Sequence, residues 1–156
     1  MKSRRSTTGY VFFLHKSVVS WKYKQQTTVA TSSTEEEYMA LYSATQEAVW
    51  LRLLLSDFGC ALGEATKIYE DNQGCISLVK NPVFHSRTKH IDIEFDFLRE
   101  KVEKGVIELE YMPTDEMVAD DLTKSLGRIK HANFLHDIHL EPCAIPSYQA
   151  RIKGEC

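Results

Sequence analysis

Two runs of β-type residues stand near the start of the chain. Thr8 to Leu14 and Val18 to Tyr23 are rich in aromatic and β-branched residues, and a polar break at residues 15–17 separates them. This pattern predicts a β-hairpin with a three-residue loop. Further along, Thr66 to Glu70 and Val106 to Met112 predict two more strands.

The clearest helical pattern begins at Ser33 or Thr34 and runs to about Phe58. Successive glutamates fill its first turn, where the helix dipole favours negative charge. Thr34-x-x-Glu37 fits the capping-box pattern, and Gly59 is a natural helix terminator. We therefore expect a long helix between the hairpin and the third strand.

Four shorter helices are expected after that strand. The first is predicted over Gln73–Lys80, and the second follows a polar connection over residues 83–90 and ends at Lys104. The third is predicted over Asp115–Ser125 with Thr114 as its cap, and the fourth over about Arg128–His136. A hairpin followed by alternating helices and strands predicts the α/β class, with a mixed sheet covered by helices. The length predicts one domain over residues 1–140, followed by a loose C-terminal tail at residues 141–156.

Composition excludes several classes of protein. The 19 basic and 22 acidic residues give a formal net charge of −3, which argues against a generic polyanion-binding protein. No apolar stretch reaches the roughly 18 residues of a membrane span, and no signal peptide is recognisable. Cytoplasm or nucleus is the expected location. The four cysteines match no zinc pattern, so we expect reduced thiols.

Glu37 is the first candidate for a catalytic or metal-binding residue. It precedes Leu41 by four positions and Ala44 by seven, so it lies on the apolar stripe of its helix and should point towards the sheet. A carboxylate facing a core is costly unless it is paired or bound to a cation. The alternative is that Glu37 serves only to cap the N-terminus of its helix.

Three further aspartates are candidates. Asp71 follows a strand and precedes a helix, a position where open α/β sheets bind ligands, although Asp-Asn is also common in turns and caps. Asp120 and Asp121 lie beyond the first turn of their predicted helix, so capping explains them poorly. A solvent-facing helix side is the alternative. If these carboxylates converged, they would suit Mg²⁺, and two such ions about 4 Å apart can hydrolyse a phosphodiester.

Long strings in the chain closely resemble the ribonuclease H domain of copia-type retrotransposon polyproteins. They occur in the same order over roughly residues 2–140, and they are RRSTTGYVFFL, VSWKYKQQTTVATSSTEEEYMA, SATQEAVWLRLLL, EDNQGCISLVKNPVFHSRTKHIDI and LREKVEKGVIELEYMPTDEMVADDLTK. The resemblance implies a ribonuclease H-like fold, in which a five-stranded mixed sheet is flanked by helices.

The resemblance also implies a function. Members of that family cut the RNA strand of an RNA–DNA hybrid during reverse transcription and use two Mg²⁺ ions. Their STEAEY-like, DNQ and ADxLTK motifs match Glu37, Asp71 and Asp120, which would be the catalytic and metal-binding residues. The expected partners are an RNA–DNA hybrid and the upstream reverse transcriptase region of the polyprotein, and no membrane partner is expected.

One departure from the family bears on activity. The first family aspartate lies on a first, central strand upstream of TGYVFF, and it has no counterpart here. The resemblance therefore implies a domain that is incomplete at its N-terminus, has impaired catalysis, and has unpaired edges on the hairpin and on the Asp71 strand. The alternative is a non-catalytic retrotransposon remnant that acts at most as a nucleic-acid-binding or interaction module.

Basic residues around the polar connection are candidates for contacts with substrate phosphates. They are Lys80, His85, Arg87, Lys89 and His90, and the family carries the same HSRTKHI string. The alternative is a solvated loop. Trp21 and Trp50 are expected to pack in the core or on the hairpin rather than to stack on bases.

Overall fold

The computed structural model describes residues 6–26, 32–81 and 89–140, without the side chains of residues 89–92. The strands are β1 (Thr7–Leu14), β2 (Ser17–Gln25), β3 (Thr66–Glu70) and β4 (Ile107–Tyr111). The helices are α1 (Ser33–Asp57), α2 (Gln73–Lys80), α3 (Lys89–Glu103), α4 (Val118–Thr123) and α5 (Arg128–Asp137). This composition confirms the predicted α/β class.

Strands β1 and β2 form an antiparallel hairpin. The turn contains His15 and Lys16, so β2 begins at Ser17 and the predicted three-residue loop is one residue too long. His15 has a φ of 56°, in the left-handed region that tight hairpin turns require. An irregularity between Phe12 and Phe13 shifts the register near the turn.

Strands β3 and β4 form a second, parallel pair, in which Thr66 lies opposite Ile107 and Glu70 opposite Tyr111. Within the described residues, the strands thus form two separate two-stranded sheets and not the single mixed sheet that the alternation of elements predicted. The separation agrees with the unpaired edges on the hairpin and on the Asp71 strand that the resemblance implied. Because strand pairing joins residues far apart in the sequence, local periodicity predicts the strands but not how they pair.

Helix α1 packs against both sheets and against α2 and α3. It begins with Ser32, whose hydroxyl accepts a hydrogen bond from the Glu35 backbone N–H. The predicted N-cap at Ser33 or Thr34 is therefore one or two residues too late. The buried core around α1 consists of Tyr38, Leu41, Ala48, Ile68, Cys75, Ile76, Val79, Leu98, Ile107 and Leu109.

The helix predicted over Asp115–Ser125 is interrupted. Residues Thr114–Glu116 form a 3₁₀ turn, Met117 is extended, and α4 follows. The predicted cap is also wrong, because no side chain caps the 3₁₀ turn and the Thr114 hydroxyl instead donates to Asp71 Oδ2 at 2.7 Å. A long-range contact has replaced the expected local one.

Neither tryptophan belongs to the core, although Trp21 does lie on the hairpin, opposite Val11. Trp21 is 65% exposed and Trp50 is 54% exposed. The expected tail at residues 141–156 and most of the polar connection lie outside the described residues. Within the described ranges, no helix combines the length and apolar character needed to cross a bilayer.

Candidate metal centre

Glu37 lies in the second turn of α1, on the stripe predicted from the sequence. The same helix face, through Glu37, Ala40, Leu41 and Ala44, borders a cavity of about 530 Å³. Leu41 and Ala44 are buried, and Glu37 is partly buried. The spacing of three, four and seven positions places these side chains on one side of the helix, so the Glu37 carboxylate is held over an apolar surface.

Two further carboxylates come from the end of β3. Glu70 is the last residue of the strand and is only 7% exposed. One of its oxygens accepts a hydrogen bond from the Asn72 backbone N–H at 3.0 Å. Asn72 in turn caps α2 by accepting from the Cys75 N–H. The cap fixes the chain as it leaves the strand, and Asp71 is therefore held at the edge of the cavity.

Glu70 is a candidate ligand that the motif-based interpretation missed. The sequence carried a signal for it, since β3 alternates in burial and Glu70 shares the buried face with Ile68. A charged residue at an inward position of a strand is uncommon without a partner. The period-two pattern could therefore have identified it.

The carboxylates of Glu37, Glu70 and Asp71 form a tight group. Each offers an oxygen atom, and these atoms all lie within 4.8 Å of one another. Carboxylate oxygens in such a group repel each other unless protons or cations intervene. Hard divalent cations such as Mg²⁺ prefer this donor set, so the residues present fit an ion of that class.

Two of these groups have raised pKa values, which reflect their burial and the repulsion between neighbouring carboxylates. Burial, followed by the charges of Asp71 and Asp120, raises the pKa of Glu37 to about 7. Burial also raises the pKa of Glu70 to about 8, with the negative charge of Glu37 adding to the shift and the Asn72 N–H opposing it. Near neutral pH the group therefore retains protons that a bound cation would displace.

Asp120 lies on α4 and borders the same cavity as Glu37 and Asp71. It is outside the group of closest oxygens, but its charge acts on the pKa of Glu37. Its own carboxylate accepts a hydrogen bond from the Lys124 ammonium, one helical turn later. The three carboxylates selected from the sequence thus border one cavity, and the Lys124 ammonium is paired with one of them.

Gly9 allows α4 to approach β1 closely. A Cβ atom at this position would lie 2.7 Å from Thr123 Cγ2 and 3.1 Å from the Ala119 carbonyl oxygen. The second of these atoms belongs to the backbone and cannot simply rotate away. Packing of α4 on β1, and with it the position of Asp120, therefore depends on the absence of a side chain here.

Only some of the residues expected to contact nucleic acid lie within the described part of the chain. Lys80 ends α2, and its ammonium donates to the Leu109 carbonyl at 3.3 Å, so it links the helix to β4. His85 and Arg87 lie outside the described residues. Lys89 and His90 begin α3, but their side chains are outside the described part of the structure.

Comparison with known proteins finds similarity to segments of transposon polyproteins. It is 40% identical over 133 residues to the retrovirus-related Pol polyprotein from transposon RE2 of Arabidopsis thaliana, and 41% identical over 133 residues to that from transposon RE1 of the same plant. The Pol polyprotein from transposon TNT 1-94 of Nicotiana tabacum is 39% identical over 128 residues.

These matches cover 82–85% of this chain but only 9–10% of each polyprotein. The chain therefore spans about a tenth of the length of the curated relatives it matches. No family model matches it, and no solved structure does. Over most of its length, the chain is homologous to one segment of the retrovirus-related Pol polyproteins of copia-type transposons.

Proposed function

We propose that this chain is the ribonuclease H domain of a retrotransposon Pol polyprotein, whose ancestral activity is hydrolysis of the RNA strand of RNA–DNA hybrids. Its activity is impaired when this segment is alone. The observation that carries the proposal is the grouping of Glu37, Glu70 and Asp71 oxygens within 4.8 Å beside a cavity that Asp120 also borders. Homology to Pol polyproteins supplies the context in which such hybrids arise.

Two Mg²⁺ ions would supply activation of water and stabilisation of the leaving oxygen in a phosphodiester. Glu37 and Asp71 would bind the cations directly, and Asp120 would approach from α4. The Thr114 hydroxyl orients Asp71 by donating to its Oδ2 atom at 2.7 Å, which leaves the other carboxylate oxygen for a ligand. Glu70, fixed by the Asn72 N–H, would add charge at the buried side of the group once a cation displaces its proton.

The proposed macromolecular partners follow from this function. An RNA–DNA hybrid would lie across the mouth of the cavity, and the upstream reverse transcriptase region would deliver it. Lys80, His85, Arg87, Lys89 and His90 remain proposed phosphate contacts. The Lys80 ammonium donates a hydrogen bond to the Leu109 carbonyl, so it would have to keep this bond and contact a substrate phosphate at the same time.

A second candidate function is that of a non-catalytic remnant that binds nucleic acid or another protein. The observation that favours it is the ion pair between Asp120 and Lys124. An ammonium in this position neutralises a carboxylate that a metal ion would otherwise need. A chain in which this pair persists would bind cations weakly and cleave slowly.

A hybrid-cleavage assay separates the two. The chain would be compared with a version extended upstream by a strand bearing an aspartate, using a labelled RNA–DNA hybrid and Mg²⁺. We expect no measurable cleavage by the chain alone and cleavage of the RNA strand by the extended form. Asp71→Asn in the extended form should abolish it. An inactive extended form that still binds the hybrid would favour the second function.

A further inference from the structure

The position of Asp120 depends on a short helix, unlike that of the other carboxylates assigned to the site. Glu37 belongs to a 25-residue helix, and Glu70 and Asp71 lie at the end of a paired strand. Helix α4, which carries Asp120, has 6 residues. A helix of that length is marginal in water unless other contacts hold it. The distance from Asp120 to the other carboxylates is therefore set by whatever fixes α4.

The start of α4 has no side-chain cap from the described part of the chain. The residue at the N-cap position is Met117, which offers no side-chain oxygen to the first turn. A helix end without such a cap leaves its backbone N–H groups to other partners and frays more easily. Packing against β1 at Gly9 restrains the body of α4. Its start depends on the chain that precedes Met117.

Two hydrogen bonds hold that preceding segment to the end of β3. The Met112 N–H donates to the Glu70 carbonyl at 3.1 Å and continues the pairing of β4 with β3 by one residue. Two positions later, the Thr114 hydroxyl donates to Asp71 Oδ2 at 2.7 Å. The first bond joins two backbone groups, so any residue other than proline could make it. The second requires a side-chain donor at position 114.

A line of hydrogen bonds joins the Asp71 carboxylate to the backbone of Asp120. The Thr114 hydroxyl donates to Asp71, and the Thr114 carbonyl accepts the Met117 N–H at 3.1 Å. The Met117 carbonyl in turn accepts the Asp120 N–H at 3.0 Å. Thr114 is thus the residue at which a side-chain contact with one carboxylate meets the backbone turn that leads to another.

We propose that Thr114 is a positioning residue that sets the place of Asp120 relative to Asp71. Its hydroxyl holds the first carboxylate, and its carbonyl directs the chain towards the second. The inference rests on the proposed function, in which these carboxylates bind cations together. It goes beyond the orientation of Asp71, because it assigns the spacing between two elements of the site to a single hydroxyl.

The chemistry of position 114 allows the hydroxyl to be tested apart from the fold. Thr114 is exposed, so the core does not depend on its side chain. Valine has the branched shape of threonine without the hydroxyl, and serine keeps the hydroxyl without the branch. Loss of a hydrogen-bond partner from a metal-binding group commonly weakens metal binding tenfold or more. Thr114→Val and Thr114→Ser are therefore a matched pair.

Amide hydrogen exchange in the metal-free chain, followed by NMR, tests the link itself. We expect Thr114→Val to speed exchange at the Met117 and Asp120 amides by at least about fivefold, and Thr114→Ser to keep both within about twofold of the unmodified chain. The Met112 amide lies before Thr114 and serves as the internal control, so it should change little. In an Asp71→Ala background, Thr114→Val should have no further effect, because the acceptor is already absent.

Calorimetric titration of Mn²⁺ measures the consequence for the site. Thr114→Val should weaken binding by at least about tenfold, and Thr114→Ser should bind nearly as the unmodified chain does. Unchanged exchange after Thr114→Val, or an equal effect in the Asp71→Ala background, would overturn the proposal. Faster exchange without weaker Mn²⁺ binding would also overturn it, since the hydroxyl would then serve only the fold. If the unmodified chain binds no Mn²⁺, the metal centre fails, and the exchange results still decide whether Thr114 links Asp71 to Asp120.

Discussion

The carboxylates of Glu37 and Asp71 have oxygen atoms within 4.8 Å of each other, although one residue comes from α1 and the other follows β3. Nothing local in the sequence requires this proximity. It arises because α1 packs on β3, and the end of the strand is then held by the Asn72 cap of α2. Two like charges so close favour protonation or a bound cation.

The stability of the fold should therefore fall as pH rises. The pKa values of Glu37 and Glu70 are raised, first by burial and then by neighbouring acids, from the ordinary value of 4.5 to about 7 and about 8. Between pH 4.5 and about pH 8, the folded state therefore binds more protons than the unfolded state. Their stabilising contribution is thus fully present below pH 4.5 and is lost as pH rises through 8. Urea unfolding across this range measures it.

Glu70→Gln should flatten the upper part of that pH dependence, because the neutral amide imitates the protonated acid. Glu108→Gln on the exposed face of β4 is the matched control and should leave the profile unchanged. Millimolar Mg²⁺ should restore stability at pH 8 in the unmodified chain, since it replaces the lost protons. A profile that rises from pH 5 to pH 8 would contradict the assigned burial of both glutamates.

Gly9→Ala should destabilise the fold by about 1–3 kcal/mol through overpacking. The new Cβ would meet the Ala119 carbonyl oxygen at 3.1 Å, and α4 would have to move away from β1. Gly63→Ala is the control, because a Cβ there meets nothing within 4 Å. Thermal unfolding of both variants checks this, and equal melting temperatures would show that α4 does not pack closely at Gly9.

Lys124→Gln should strengthen binding of Mg²⁺ roughly two- to five-fold, as expected when an exposed ion pair of modest strength no longer competes for Asp120. Lys104→Gln is the matched control, since Lys104 forms an equivalent pair one helical turn from Glu100 and distant in sequence from the site. Calorimetric titration of both variants distinguishes them. Weaker binding after Lys124→Gln would mean that this lysine helps to assemble the site.

Local signals account for the elements that the sequence predicted well. Helix α2 starts at an Asn72 cap, and Gly59 follows the end of α1 with a φ of 76°. α5 spans Arg128–Asp137, within one residue of the predicted bounds. Caps, glycines and helical periodicity act over a few positions, so one sequence is sufficient to read them.

Long-range contacts account for what the sequence did not predict. The break at Met117 accompanies the use of the Thr114 hydroxyl by Asp71, a contact that no local pattern indicates. Division of the strands into two sheets likewise depends on pairing between distant segments, and only the resemblance, not the periodicity, implied it. Trp21 is exposed because it lies on the side of β2 away from Ser20, whose hydroxyl bonds Glu47 of α1. Alternation indicates that the two faces of a strand differ, but not which face is covered.

Calorimetric titration of Mg²⁺ and Mn²⁺ into the chain at pH 8 tests the central claim most directly, because Glu37 is then largely ionised and Glu70 is partly ionised. We expect saturable binding that Asp71→Asn and Glu37→Gln each weaken by at least about tenfold, while Glu108→Gln binds as the unmodified chain does. No binding by the unmodified chain, or equal binding by all four proteins, would contradict a metal centre at this position.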